Sequence, residues 1–210
     1  MNHVGCRPAG LRAWLLELPD THRVHALAAH LAALRDGGRL PGAVDVVPGA
    51  RTVLVDGVTG PVDPQHLHQA IRDWEGSPGE PAAHSDPVEI PTTYDGDDLD
   101  DVARLAGLTP SEVVALHTGT DLTVAFCGFS AGFAYLSGMP PELHLPRLDT
   151  PRTAVPAGSV AIADEFTGVY PRRSPGGWRL LGRTSTALWE EHRSPPALLT
   201  PGARVRFVRR

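Results

Sequence analysis

Two hydrophobic periods alternate along the first ninety residues. Residues 11–18 read as a short strand. Val24, Leu27, Ala28, Leu31 and Leu34 then fall three and four apart, the spacing of one helix face. Thr21 is placed to cap that helix, and Gly37 and Gly38 end it. Residues 44–47 and 52–55 are β-branched runs separated by Pro48 and Gly49, which predicts two strands and a turn. Asp63 and Pro64 supply an N-cap and a first-turn proline for a second helix, with Leu67, Ile71 and Trp74 as its apolar stripe. A further strand is predicted at 88–90. Strand, helix, strand, strand, helix, strand is the order of a split βαβ, or ferredoxin-like, unit. Proline, glycine and serine crowd residues 76–87. An α+β domain is therefore expected over 1–86 and a second domain over 87–210.

The pattern changes after residue 90. Two short amphipathic helices are predicted at 97–106 and from 110, the latter opened by the capping-box sequence Thr109-Pro110-Ser111-Glu112. Short apolar runs follow at 123–127, 159–163, 168–170, 178–182 and 205–208, with glycine and proline between them. Short strands with frequent turns and little helix predict a closed or partly closed β-barrel. Within this half, residues 126–184 combine turn residues with Phe126, Phe129, Phe133, Tyr135, Phe166, Tyr170 and Trp178. That apolar content suits a tightly turned core rather than a disordered linker.

Charge sharpens the picture. All 19 basic side chains are arginine. Without lysine the chain has no P-loop and no Schiff-base nucleophile. Residues 147–210 carry 11 arginines against 5 acids, while residues 1–146 carry 8 against 19. A basic C-terminal part favours an anionic ligand or an acidic partner. Two cysteines, Cys6 and Cys127, form no CxxC, so neither a disulfide framework nor a cysteine-ligated zinc is expected, and Cys127 is expected to be buried. No apolar run reaches the roughly 18–20 residues that span a bilayer. The N-terminus lacks the pattern of a signal peptide, so a cytoplasmic, membrane-free protein is expected.

Several motifs carry less than they promise. Gly128-Phe129-Ser130-Ala131-Gly132 fits G-x-S-x-G, with Asp164 and His192 following in hydrolase order, but the strand–helix context is missing. Residues 97–119 look like a helix-turn-helix. Their acids, Asp97, Asp98, Asp100, Asp101 and Glu112, oppose phosphate contact, so nucleic-acid binding is not expected. His22, His25 and His30 diverge around a helix, as do His66 and His68, so no metal is expected. More useful are His117 at a helix C-terminus, where the backbone field favours its cation, and the Ser174-Pro175-Gly176-Gly177-Trp178 turn, where glycines permit close approach. Arg152 and Arg183 lie beside turns and suit carboxylate or phosphate.

Taken together, Gly128-Phe129-Ser130-Ala131-Gly132-Phe133 with its continuation to Gly138, the run 146–163, Thr167-Gly168-Val169-Tyr170-Pro171 and the run 174–184 resemble the family of 5-oxoprolinase B subunits. That family is also described as allophanate hydrolase subunit 1 or the KipI-type carboxyltransferase subdomain. Residues 94–118 and 195–208 extend the resemblance. It implies a small α+β N-terminal domain and a cyclophilin-like β-barrel C-terminal domain. It also implies two partner chains, the KipA-like C subunit of 5-oxoprolinase and its A subunit. Together they use ATP to open 5-oxo-L-proline to L-glutamate. Other members imply alternatives: a KipI-like inhibitor of a sensor histidine kinase, or a carboxyltransferase subunit related to allophanate hydrolase and urea carboxylase. The family often has proline where Ala131 stands, and Gly-Gly-Gln where Asp164, Glu165 and Phe166 stand. Such an activity requires a small anionic amide to be held and its developing charge stabilised. By residue type and location, His117, Arg152 and Arg183 are the catalytic candidates, and Tyr135, Tyr170, Ser174 and Trp178 the substrate-binding ones. ATP is expected to be bound by the assembly.

Overall fold

The computed structural model describes residues 4–57, 64–76 and 86–210, and divides the chain into two units, Met1–Ala83 and His84–Arg210. In the first unit the strands β1 (Gly5–Ala9) and β2 (Ala13–Glu17) form a hairpin, followed by α1 (Thr21–Asp36), β3 (Asp45–Pro48), β4 (Thr52–Asp56) and α2 (Pro64–Gly76). Asp20, not Thr21, caps α1: its carboxylate accepts from the Arg23 amide at 2.8 Å. The Asp63 cap expected for α2 lies outside the described residues. Val24, Leu27 and Leu31 of α1 and Leu67, Ile71 and Trp74 of α2 share one core with Leu16, Val53 and Val55.

The sheet of this unit is antiparallel, in the order β1-β2-β4-β3. The split βαβ order predicted from sequence therefore needs one correction. The strand at 88–90 does not complete this sheet. Its edge position beside β2 is taken by β1, an N-terminal strand whose Arg7 and Pro8 masked its pairing in the sequence.

In the second unit β5 (Val88–Thr92) is followed by α3 (Leu99–Ala106), α4 (Pro110–Thr118), β6 (Leu122–Cys127) and β7 (Ala134–Ser137). Then come β8 (Arg152–Val155), β9 (Ser159–Ala163), β10 (Phe166–Val169), β11 (Ser174–Gly176), β12 (Arg179–Arg183) and β13 (Arg204–Arg209). The predicted capping box is present: Thr109 and Glu112 exchange side-chain and backbone bonds at the start of α4. Seven strands form one sheet, β12-β9-β10-β7-β6-β13-β5, and β8 pairs with β11 separately. The edges of the large sheet approach each other. Thr93 and Arg183 exchange two backbone hydrogen bonds, at 2.9 and 2.8 Å, which makes the sheet a nearly closed barrel. Gly182 permits this seam, because a Cβ there would overlap the Thr93 carbonyl oxygen. Ile90, Val124, Leu136, Ile162, Leu181 and Phe207 join Val102 of α3 and Val113 of α4 in the main core. No helix among the described residues is long and apolar enough to cross a membrane.

Candidate functional site

A bulge separates the two faces of the barrel wall. In the β6–β7 ladder Val124 pairs with Leu136 but Phe126 pairs with Tyr135, so Ala125 is an extra residue. Bulges re-aim side chains. Here the bulge sends Val124 into the main core and turns Phe126 toward Tyr135, with the rings stacked at 4.2 Å. Phe166 meets both rings edge-on, at 5.6 and 5.7 Å. Trp178 packs edge-on against Tyr135 at 5.5 Å and Phe133 at 5.4 Å, and Tyr170 against Phe133 at 5.5 Å. Edge-to-face pairs of this kind suit the ring quadrupoles. Phe133 and Tyr170 are buried, while Phe126, Tyr135, Phe166 and Trp178 stay half-buried. Phe129 stands at the rim, 58% exposed, in a left-handed conformation (φ 64°).

Polar groups enter this aromatic face from β8 and β11. Arg152 is the cross-strand partner of Gly176. The Tyr170 hydroxyl lies so close over Gly176 that a Cβ there would overlap it. Burial pushes the Tyr170 phenol up, partly opposed by a hydrogen bond from the Trp178 backbone and by the nearby Arg152 charge. Burial also raises Tyr135. Both phenols are neutral donors at ordinary pH. Arg152 is held by Asp98, Nη2 to Oδ1 at 2.7 Å. Ser174 sits on β11, where its hydroxyl donates to the Arg172 carbonyl.

Tyr135, Tyr170, Trp178 and Arg152 thus come together, with Ser174 on the adjoining strand. His117 does not join them. It is wholly buried, and successive residues of β10 explain its separation: Phe166 faces the aromatic cluster, while Thr167 points to the opposite face and meets His117. The hydrogen bonds fix its tautomer. Thr167 donates its hydroxyl proton to the Ala161 carbonyl at 2.9 Å, so it must accept from His117 Nε2–H, also at 2.9 Å. Nδ1 is then bare and accepts from the Tyr94 hydroxyl at 2.7 Å. Burial lowers the His117 pKa to about 3. Desolvation outweighs the helix-end field that favoured a cation, and the imidazole is neutral. Arg183 lies at the barrel seam, largely exposed, paired with Asp95 at 2.9 Å. It borders a shallow hollow with Thr93, Thr184 and Arg210.

The acidic start of α3, which spoke against DNA, has a structural use that sequence reasoning missed. Asp98 receives Arg152, and Asp101 receives the buried Arg179 at 2.7 Å. Phe126 and Phe166 were also missed as candidate residues: the bulge turns Phe126 to this face, and Phe166 reaches it from β10. Ser130 is not on a nucleophile elbow. It lies in a tight loop between the antiparallel strands β6 and β7, and its buried hydroxyl has no hydrogen-bond partner. Cys127 is exposed rather than buried, because it ends β6 where the chain enters that loop. No group of histidine, cysteine and acidic residues among the described residues is arranged to hold a metal.

The chain matches the family model for the carboxyltransferase domain, subdomain C and D, over residues 4–199. A protein of Escherichia coli O157:H7 described as a 5-oxoprolinase B subunit is 39% identical over 220 residues, covering 99% of this chain and 97% of that protein. A Haemophilus influenzae protein of the same description is 48% identical over 124 residues, 58% of each chain. The crystal structure of TTHA0988 superposes with a TM-score of 0.81 at 38% identity. That match covers 95% of this chain but 40% of the other, so this chain spans less than half of that protein's length.

Proposed function

Since the chain belongs to the carboxyltransferase-domain family, subdomains C and D, we propose that it acts as the B subunit of a multi-chain, ATP-dependent 5-oxoprolinase. The observation that carries this reading is the end-to-end similarity to the Escherichia coli protein described as a 5-oxoprolinase B subunit. The assembly would open 5-oxo-L-proline to L-glutamate, with the A subunit of 5-oxoprolinase and its KipA-like C subunit as the partners.

The division of labour follows from the residues. Amide resonance protects a lactam carbonyl from water, and phosphorylation of its oxygen by ATP supplies the activation. A chain without lysine cannot form a P-loop, so the nucleotide site is assigned to the assembly. What this chain offers is a preformed wall. Its half-buried Tyr135 and Trp178 cover a small ring and exclude water, and Arg152 supplies a positive charge next to the Tyr170 phenol of the same face. Fixed donors of this kind stabilise developing charge without reorganising. His117, neutral and with both ring nitrogens engaged inside the chain, is a framework residue in this scheme rather than a proton carrier.

Co-expression with the A and C partner chains tests the proposal. ATP-dependent glutamate release from 5-oxoproline should require all three chains, and this chain alone should show none. Full turnover by the partners without this chain, or robust turnover by this chain alone, would overturn it.

A further inference from the structure

Asp98 occupies the N-cap position of α3 yet makes no capping hydrogen bond. Aspartate there normally accepts from the first free amides of the helix. Instead both oxygens are spent outside the helix. Oδ1 takes Arg152 Nη2, and Oδ2 takes the Leu180 amide, each at 2.7 Å. Asp98 is only 8% exposed, so the carboxylate is pinned from two sides. The guanidinium it holds is only partly satisfied. Arg152 Nη1 is enclosed but finds no acceptor in the chain. The side chain as a whole retains 27% exposure, so the group is not sealed. It lies on the strand facing Gly176, over which the Tyr170 hydroxyl sits, and its charge is felt by that phenol. A buried donor left without a partner is costly, and a cation kept in that state beside the Tyr170 phenol is more than a structural ion pair.

We propose that Asp98 is the positioning residue of a carboxylate-binding subsite, in which Arg152 grips the carboxylate of a small cyclic amide lying against Tyr135 and Trp178. This rests on the oxoprolinase reading for the identity of the ligand, but the subsite is defined by its own geometry. The planar guanidinium suits a carboxylate, because it offers parallel N–H donors at fixed spacing. Pairing with Asp98 fixes its plane, so less rotamer freedom is lost when the ligand arrives.

The test uses two lactams, 5-oxo-L-proline and 2-pyrrolidinone, which is the same ring without the carboxylate. The full chain is titrated with each while the NMR resonances of Gly176, Trp178 and the Arg152 guanidinium are followed. The three-chain assembly is assayed in parallel. 5-Oxoproline should shift those resonances, and 2-pyrrolidinone should bind about tenfold more weakly or worse. Arg152→Ala should erase the discrimination between the two lactams. Asp98→Asn keeps an acceptor for the Leu180 amide but loses the charge that aligns Arg152. It should raise KM for 5-oxoproline about tenfold while leaving kcat within about threefold, with a native amide spectrum. Arg152→Lys should rescue only part of the affinity, for lack of the planar fork. Binding of 5-oxoproline that is equal in native and Arg152→Ala proteins would overturn the subsite, as would failure to discriminate the lactams in both preparations. Carboxylate-dependent shifts without turnover would keep the subsite and remove the oxoprolinase reading. Turnover with unchanged KM in the Arg152→Ala and Asp98→Asn assemblies would do the reverse.

Discussion

Acidification from about pH 7.5 to about pH 5 is expected to cost the second unit about 2 kcal/mol of stability through His117. The imidazole is buried between Tyr94, Thr167 and Phe207, and burial lowers its pKa from 6.5 to about 3. In the unfolded chain it takes up a proton near its ordinary value. Below that pH the unfolded state therefore binds more protons than the folded one, and stability falls as pH falls. The loss begins near pH 6.5 and continues toward the folded value of about 3. Protonation of the folded form would also place a donor against the Tyr94 hydroxyl, which then has nothing to donate to. Urea unfolding of the native protein and of His117→Gln, at both pH values, measures this. The native protein should show the slope and the glutamine variant should lose most of it. A flat profile between pH 7 and 5, or an unchanged slope in the variant, would contradict the buried neutral imidazole.

The second large effect concerns the barrel seam. Gly182→Ala is expected to destabilise the chain by about 3 kcal/mol, the upper end of the usual overpacking cost. The added methyl would meet backbone rather than flexible side chain. It would overlap the Thr93 carbonyl oxygen and approach Tyr94 Cα at 2.9 Å. Relief requires the two-bond bridge between Thr93 and Arg183 to open. Gly128→Ala provides the contrast, because the nearest atom to a Cβ there is Tyr135 Cε2 at 4.0 Å. It should cost less than about 1 kcal/mol. Thermal or urea unfolding of the two variants side by side checks the pair, and equal losses would show that the seam is not where closure is decided.

Much of the architecture could be read from local signals. The stripe of α1, the capping box of α4 and the β9 run of five buried residues each announce themselves within a few positions. What escaped were features set by distant pairing. β1 carries arginine and proline in five residues and reads as a loop, yet it pairs along its whole length with β2. Residues 88–90 have a strand's composition, which says nothing about which sheet will accept it; parallel pairing with β13 decides that. β7, β8 and β11 are only three or four residues long, too short for a period to show.

The candidate site was legible in the same partial way. Aromatic and arginine residues between glycines named Tyr135, Tyr170, Trp178 and Arg152, and the fold gathers those four. Phe126 needed the Ala125 bulge, because simple alternation puts it on the same side as Val124. Asp98 needed tertiary contacts to be separated from the other acids of its run. His117 was drawn toward chemistry by its helix end, whereas its neighbours in space make it part of the interior.

The most direct test is the Tyr135→Ala, Trp178→Ala double variant in the reconstituted three-chain assembly, measured as ATP-dependent glutamate release from 5-oxoproline. The variant should still co-purify with its partners in native proportion. Its kcat/KM should fall by about a hundredfold, in keeping with the loss of about 3 kcal/mol of transition-state stabilisation. Native kcat/KM in an intact variant assembly would contradict the assignment of this aromatic face to the site.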